Sequence, residues 1–231
     1  MPGRNDACEI DVDRLGTVSY GAGLEWQGAA LEAVRAGGRE RVALLEHEPV
    51  YTLGARAARD SLRVSESALP APLVVSSRGG DVTFHGPGQL VVYPVLHLGA
   101  RGLRPGDYVR ALEGCAIDAI GALGVHGERW AGRPGVWVRL EGELAKVAAI
   151  GVRVQHGVSA HGLAINVSTD LRWFAPIVPW SQDAGVTTLA HVLGRRVDPE
   201  EVERVLLAAF ARTFNARLVE GMAESKEPVR A

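Results

Sequence analysis

The sequence is poor in cysteine, with Cys8 and Cys115 as the only two among 231 residues. Two cysteines cannot build a disulfide framework, which excludes the small secreted domains that depend on one. The sequence also lacks a long apolar run, a signal segment and a lipidation motif. We therefore expect a cytoplasmic protein that does not associate with membranes.

Charge of one sign is also lacking, since the net charge is only −2. This balance gives no reason to expect nucleic acid or an anionic membrane surface as a partner. There is no internal repeat and no phosphate-cradling P-loop. The hydrophobic content of 47% is enough for one sizeable core. We expect a monomer with a single domain over residues 1–223 and a flexible polar tail over residues 224–231.

What the sequence does contain is a glycine-rich segment, Arg78–Gln89, that leads directly into an apolar run. Glycines let backbone amides approach a ligand closely, Arg78 supplies a cation, and His85 supplies a group that titrates near neutral pH. The alternative is a tight connection between strands, where glycine and proline are common. Because Arg, Thr, His and Gln alternate with the glycines, we favour a ligand-binding segment.

Apolar runs predict strands at residues 42–45, 73–76, 90–96, 135–140, 144–154 and 157–167. A helix with Leu24, Leu31 and Val34 on its apolar face is predicted to end at Gly37–Gly38. A second helix carries Cys115 on its apolar stripe, and Cys8 precedes or starts a strand. Because strands and helices mix without a regular βαβ alternation, we predict an α+β fold with a mixed sheet and flanking helices.

Two further helix starts are indicated near the carboxyl end. Thr187 is predicted to N-cap a short helix over residues 188–193 that ends at Gly194. Asp198 is predicted to N-cap a longer helix, with proline in its first turn and Glu201 at the third position.

The glycine-rich segment resembles the signature of the lipoyl(octanoyl) transferase family, with Thr83, Phe84, His85, Gln89 and Tyr93 at the expected offsets. Other blocks similar to the family follow in order along nearly the whole chain, at residues 46–54, 135–138, 146–151 and 161–166. The resemblance implies the fold of the lipoate and biotin protein ligase catalytic domains.

The resemblance also implies which residues bind the acyl chain. Each implied segment combines small with apolar residues, which suits a narrow slot for a fatty acyl chain. The implied substrate-binding residues are Arg78, Gly79, Gly80, Asp81, Val82, Thr83, Phe84, His85, Ala149, Ile150, Gly151, Gly162, Leu163 and Ala164.

In this family a cysteine that follows Ile-Val-Pro carries the acyl group as a thioester, and a lysine lowers its pKa. Lys146 matches the lysine, but the cysteine position is Trp180. An indole cannot form such an intermediate, because its ring nitrogen is only a hydrogen-bond donor. Trp180 could instead shorten or cover the acyl slot, or simply pack after Pro179.

Replacement nucleophiles are poor candidates. Cys115 reads as a buried structural thiol and Cys8 lies in no recognisable site. Ser181 is adjacent to the vacant position, but the stretch of residues 181–183 is typical of a polar surface turn. His47, His85 and His161 are not expected to bind a metal ion, because their spacing fits no known ligand pattern. We expect no metal and no cofactor.

The chemistry that remains is direct acyl transfer from a thioester to an amine, with Lys146 as the catalytic residue. Lys146 would act as general base for the incoming amine or as an electrostatic donor to the oxyanion, depending on its pKa. Its apolar neighbours favour a lowered pKa, which makes the base role possible. The resemblance implies octanoyl-acyl carrier protein as donor, and as acceptors the apo lipoyl domains of 2-oxoacid dehydrogenase complexes and the glycine cleavage H protein. Two alternatives stay open: a catalytically silent relative that binds acylated carrier or lipoyl domains, and a ligase-like chemistry with an adenylated acyl group.

Overall fold

The computed structural model describes residues 8–55, 57, 61–178 and 185–221. The described strands are β1 (Cys8–Val18), β2 (Glu40–His47), β3 (Val50–Leu53), β4 (Leu73–Val75), β5 (Thr83–His85), β6 (Gln89–Val95), β7 (Glu128–Trp130), β8 (Arg133–Leu140), β9 (Glu143–Gln155), β10 (Val158–Asn166), β11 (Gly185–Val186) and β12 (Ala216–Glu220). The described α-helices are α1 (Tyr20–Arg35), α2 (Pro105–Gly121), α3 (Leu189–Leu193) and α4 (Pro199–Thr213).

Within the described residues, nine strands form one mixed sheet in the order β12-β1-β2-β6-β10-β9-β8-β7, with β11 paired to β9. The pairs β12–β1, β1–β2 and β11–β9 are parallel, and the others are antiparallel. A smaller sheet has the order β4-β3-β5. This architecture confirms the predicted α+β class with flanking helices.

The two faces of the large sheet are covered by different helices. Helices α2 and α4 pack on one face and bury the largest apolar cluster, which includes Leu112, Leu206 and Phe210. Cys115 is fully buried there, and burial raises the pKa of its thiol to about 12, so the prediction of an inert core thiol is confirmed. Helix α1 packs against β2, β6 and β10 on the opposite face.

Several predicted elements differ from the structure in detail. The buried stripe of α1 contains Gln27, Ala30 and Val34, whereas Leu24 is exposed, so the predicted apolar face was wrong by part of a turn. Polar Gln27 occupies a core position because its Oε1 accepts a hydrogen bond from the backbone N–H of His161 at 2.6 Å. Cys8 starts β1, as predicted.

One of the two carboxyl-terminal helix starts needs a small correction. Thr188, not Thr187, caps the short helix by accepting a hydrogen bond from the His191 backbone N–H. Asp198 caps α4 as predicted, at 3.0 Å from the Glu200 N–H. Glu201, however, pairs with Arg195 instead of closing a capping box.

Among the helices in the described ranges, none combines the length and apolar character that a membrane crossing requires.

Candidate active site

A pocket open to solvent, with about 410 Å³ of empty space that includes its mouth, lies between β5 of the small sheet, the amino end of α1, and strands β6, β9 and β10 of the large sheet. Its walls are apolar over most of their area, with a few polar side chains. It is lined by Tyr20, Arg78, Thr83, His85, Val91, Tyr93, Ala149, Ile150, Gly151, His161, Gly162, Leu163 and Ala164.

Most of the predicted acyl-binding residues contribute to this wall, but five do not. Val82 and Phe84 are buried in a separate apolar cluster under the small sheet. Gly79 donates its N–H to the Val152 carbonyl at 2.9 Å and so ties the glycine-rich segment to β9. Gly80 has a positive φ of 91°, and Asp81 accepts hydrogen bonds from Ser61 and Val82. These five residues shape the segment rather than line the cavity.

Paired glycines let the cavity lie against backbone. Gly151 and Gly162 face each other across β9 and β10. A Cβ on Gly162 would lie 2.2 Å from the Val92 carbonyl oxygen, so no other residue fits without moving β6. At both positions neighbouring backbone takes the space of a side chain, since a Cβ on Gly151 would lie 2.8 Å from the Gly79 carbonyl oxygen, and both glycines line the cavity with their backbone.

Arg78 places a buried cation in the wall. Its guanidinium donates to the hydroxyl and carbonyl oxygens of Thr52, at 2.7 and 2.6 Å, and to the carbonyl of Gly79 at 3.1 Å. All of these acceptors are neutral, and burial lowers the pKa of Arg78. The guanidinium nevertheless stays charged, because arginine keeps its proton in proteins even where burial lowers its pKa.

Three histidines near the cavity are held neutral. Burial, followed by the charges on His47 and Arg78, lowers the pKa of His85 to about 3. Burial and then Arg78 lower the pKa of His161 to about 4, and burial lowers the pKa of His47. At neutral pH, Arg78 is therefore the only cation among the described residues that line this cavity.

Hydrogen bonds fix the orientation of two of these rings. Gln89 donates hydrogen bonds from its amide nitrogen to the Phe84 carbonyl and to Oδ1 of Asn166. Its Oε1 is therefore left to accept from Nδ1 of His85, at 2.7 Å. His47 donates from Nδ1 to the Val18 carbonyl and accepts at Nε2 from the Tyr93 hydroxyl at 2.6 Å.

Two tyrosines, Tyr93 and Tyr20, belong to the cavity wall, and the sequence indicated only the first of them. Tyr93 was noted only as part of the family motif. Tyr20, at the start of α1, was not predicted at all, although its ring stacks on His85 at 6.3 Å and its hydroxyl donates to Ser76 at 2.8 Å. No local signal marks Tyr20, since only the fold brings α1 beside the glycine-rich segment.

Lys146 lies in a second, smaller cavity of about 260 Å³, together with Thr83, Gln89, Ala149, Asn166, Phe174 and Val186. Thr83 and Ala149 line both cavities, so the two spaces are neighbours that share a wall. The cavity that contains Lys146 is therefore next to the predicted acyl slot.

A β-bulge turns Lys146 toward this side of the sheet. Val136 pairs with Ala148 while the next residue, Trp137, pairs with Lys146, so Val147 is an extra residue in β9. In a regular strand, residues three apart face opposite sides of the sheet. The extra residue shifts this alternation, which places Lys146 on the same side as Ala149.

The Lys146 side chain is only 4% exposed. Its Nζ donates to the Pro134 carbonyl at 3.1 Å and lies 4.5 Å from the centre of the Trp137 ring. Burial, and secondarily the charge of Arg133, lower the pKa of Lys146 to about 7, while Glu113 acts in the opposite direction. The expectation of a buried lysine with a lowered pKa agrees with this geometry.

Thr187 lies beside Lys146 without bonding to its amine. Its backbone N–H donates to the Lys146 carbonyl at 3.0 Å, and its carbonyl accepts from Asn166. Its hydroxyl is buried and has no hydrogen-bond partner among the described residues, so their geometry does not support an activated threonine nucleophile. Trp180 and Ser181, on which the nucleophile question turns, lie outside the described residues.

In the described part of the chain, no three histidine, cysteine or carboxylate side chains are grouped as metal ligands would be.

Comparison with known proteins identifies the family. The model of the lipoyl protein ligase A/B catalytic domain matches residues 19–211. An octanoyltransferase of Nocardia farcinica is 42% identical over 219 residues, which cover 93% of this chain and 86% of that protein. An octanoyltransferase of Mycobacterium tuberculosis is also 42% identical, over 94% of this chain and 93% of that protein. This chain belongs to the octanoyltransferase family. It is accordingly an acyltransferase.

Solved structures show the same fold at low identity. A bipartite lipoate protein ligase from Thermoplasma acidophilum superposes with a TM-score of 0.69 at 16% identity, covering 94% of this chain and 88% of that chain. Biotin protein ligase from Aquifex aeolicus gives a TM-score of 0.52 at 14% identity, covering 89% of this chain and 70% of that chain. The predicted likeness of octanoyltransferases to lipoate and biotin protein ligase domains is thus confirmed for the fold.

Proposed function

We propose that this protein transfers an octanoyl group from octanoyl-acyl carrier protein to a specific lysine of apo lipoyl domains, without a cysteine at position 180. The acceptors would be the lipoyl domains of 2-oxoacid dehydrogenase complexes and the glycine cleavage H protein. The observation that carries the proposal is the buried Lys146, whose pKa lies near 7, beside an apolar cavity. The relatives named octanoyltransferase support the choice of acyl group.

The larger cavity supplies the binding energy for the acyl chain. The side chains of Val91, Ile150 and Leu163 in its wall would accept an apolar chain. At roughly 0.8 kcal/mol per methylene, an eight-carbon chain gains about 5 kcal/mol from burial. The thioester carbonyl would then lie at the shared wall formed by Thr83 and Ala149, facing Lys146.

Lys146 would act as the base for the incoming amine. The neutral amine of the target lysine attacks the thioester carbonyl, a C–N bond forms, and the C–S bond breaks. The attacking nitrogen gives its proton to neutral Lys146, which passes it to the departing thiolate. With its pKa near 7, Lys146 is partly neutral at physiological pH, which an ordinary lysine is not.

The proposal is tested by intact-mass spectrometry of the lipoyl domain after incubation with octanoyl-acyl carrier protein and enzyme. The wild-type chain, Lys146→Met, Trp180→Cys and a control without enzyme are compared. We expect octanoylation by the wild-type chain with no acyl adduct on the enzyme, and a loss of about 100-fold or more in Lys146→Met. The rate should rise with pH through about 7, because the neutral amine is the active form.

Other outcomes point to the alternatives. An acyl adduct on the wild-type chain would reveal a protein nucleophile and contradict direct transfer. Product formed only by Trp180→Cys would favour a silent relative that binds acylated partners. Product formed from free octanoate only when ATP is added would favour the ligase-like chemistry.

A further inference from the structure

One short segment of β8 forms the surroundings of the Lys146 amine. Pro134 supplies the carbonyl that accepts from Nζ, and Trp137 supplies the ring against which Nζ lies. Gly135 lies between them at a φ of 131°, and a Cβ there would lie 3.2 Å from Cε and 3.4 Å from Nζ of Lys146. The closest contact of such a Cβ would be the Ala148 carbonyl oxygen, at 2.7 Å, so the segment passes close to both the β9 backbone and the lysine side chain. The path of the segment therefore determines the space that is left for the amine.

Glu113 of α2 holds this segment from the helical layer. Its Oε1 accepts from the backbone N–H of Gly135 at 3.2 Å, and its Oε2 accepts from Nε of Arg129 at 3.1 Å. The Glu113 side chain is only 8% exposed, whereas that of Arg129 is 48% exposed. A buried carboxylate is costly unless it is hydrogen-bonded, and these two donors supply the bonds.

The charges around Lys146 come from the same elements. Arg133 of β8 opposes protonation of the amine, while Glu113 of α2 favours it. Arg129 of β7 is paired with Glu113 and partly offsets its charge. The remaining described side chains that share the Lys146 cavity, Thr83, Gln89, Ala149, Asn166, Phe174 and Val186, carry no ionisable group.

We propose that Glu113 is a positioning residue for Lys146: it anchors the Gly135 segment that holds the amine, and its charge, against that of Arg133, sets how much of the amine is neutral. The consequence for catalysis rests on the proposed function, but the effect on Lys146 itself does not. Glu113, which is not among the residues that line either cavity, thereby sets the pH range in which the site works.

The sequence offers a direct measurement, because Lys146 and Lys226 are its only lysines. A Lys226→Arg background leaves one lysine, whose side chain can be labelled with ¹³C and titrated by NMR without substrate. In this background, Glu113→Gln keeps an oxygen that can accept from the Gly135 N–H, but it removes the charge and the oxygen that accepts from Nε of Arg129. Glu128→Gln is the control, since it removes a carboxylate from β7 that pairs with Arg139 instead.

We expect a titration midpoint near pH 7 in the parent protein. Glu113→Gln should lower the midpoint by about one pH unit, because a nearby opposite charge is lost. Arg133→Gln should raise it, and the double variant should lie between the two. The control should stay close to the parent. The acid limb of the pH–rate profile should move with the midpoint in each variant.

The inference is overturned if Glu113→Gln leaves the midpoint unchanged, if Glu113→Gln and Arg133→Gln shift it in the same direction, or if the control shifts it as much. Should Glu113→Gln fail to fold, Arg129→Gln removes the offsetting cation from the surface and must raise the midpoint through Glu113. Shifts as expected, combined with an active Lys146→Met, would keep the positioning role of Glu113 and remove the proposed role of Lys146 as base.

Discussion

At the scale of single residues, the burial of Lys146 suits its proposed chemistry but lowers the stability of the fold. An amine with 4% exposure gives up most of its hydration. The Trp137 ring and the Pro134 carbonyl favour the protonated form and limit the fall of its pKa, but they do not restore the ordinary value. The folded protein therefore carries a cost at this position that an apolar side chain would avoid.

We predict that Lys146→Met stabilises the protein at pH 6 by about 2 kcal/mol, and by less at pH 10. The pKa of Lys146 is about 7 in the folded chain against an ordinary value of 10.5. Between these values the unfolded chain holds a proton that the folded chain lacks, so stability rises with pH. Below pH 7 the whole cost is present. Urea unfolding at the two pH values measures the difference.

The control for this prediction is Arg139→Met, which replaces a cation of β8 that is 56% exposed. Its effect should be small and nearly the same at pH 6 and pH 10. A Lys146→Met variant that is less stable than the parent at pH 6 would show that the cation is well compensated inside the fold.

The identity of many site residues could be predicted because the family motif is local, but their arrangement could not. Arg78, Thr83 and His85 lie within one segment that is recognisable by eye. Tyr20 reaches the same cavity from a helix far away in sequence, and Glu113 acts on Lys146 through a backbone N–H. Such contacts depend on packing between elements, for which the sequence has no short-range pattern.

At the scale of secondary structure, close contact between β6 and β10 at Gly162 is a strict requirement. A methyl group there would lie 2.2 Å from the Val92 carbonyl oxygen and 2.7 Å from Cδ of Pro94. We predict that Gly162→Ala destabilises the protein by about 3 kcal/mol, because the strands must separate or shift. It should also weaken octanoyl binding, since Gly162 lines the cavity.

Gly28→Ala is the matched control, because Gly28 is exposed in the middle of α1 and a Cβ there would meet nothing within 4 Å. Alanine is the better helix former, so this change should stabilise the protein by up to about 1 kcal/mol. Thermal or urea unfolding of the two variants gives the comparison. Equal effects of the two substitutions would mean that β6 and β10 adapt easily to the extra methyl group.

Five strands of the large sheet, β2, β6, β8, β9 and β10, were predictable to within about two residues, since they are apolar runs bounded by glycine or polar residues. The extent of β1 and the short strands β7, β11 and β12 were not predicted. Short β3 and β5 were not recognised, because their residues belong to motifs that read as binding loops. The buried stripe of α1 was misplaced, because a buried glutamine and a buried glycine occupy core positions there. Polar or small residues in a core are invisible to hydrophobic periodicity.

At the scale of the whole molecule, the buried histidines couple stability to acid. In the folded chain the pKa of His85 is about 3 and that of His161 is about 4, against an ordinary value of 6.5. Between pH 6.5 and 4 only the unfolded chain takes up these two protons, so stability falls as pH falls. His47, whose pKa is also lowered, acts in the same direction.

We predict that the free energy of unfolding decreases by about 3 kcal/mol per pH unit between pH 6 and pH 4, from these two groups together. Urea unfolding across this range measures the slope. In His85→Gln the slope should fall by about half. If the unfolding free energy depends on pH equally in the parent and in His85→Gln, groups other than His85 cause the loss of stability in acid.

The division of the chain into residues 1–223 and a tail from residue 224 stays a prediction, as do the monomeric state and the cytoplasmic location. Residues 222–231 lie outside the described part of the chain, and so does Trp180. The family and the fold were both predictable, since the motif blocks are spread along nearly the entire sequence. The consequence of tryptophan at position 180 is a question for the mass-spectrometric experiment.

The bulge at Val147 has a consequence for anyone who would move this site to another protein. The spacing between Lys146 and the residues that line the acyl cavity puts them on the same side of the sheet only because the strand contains one unpaired residue. Grafting Lys146 and Ala149 onto a regular strand at the same spacing would send the amine into the opposite layer. A graft of this site therefore needs the pair β8 and β9 together with the bulge. A search for similar sites by residue identity alone would also find regular sheets in which the lysine faces the wrong side.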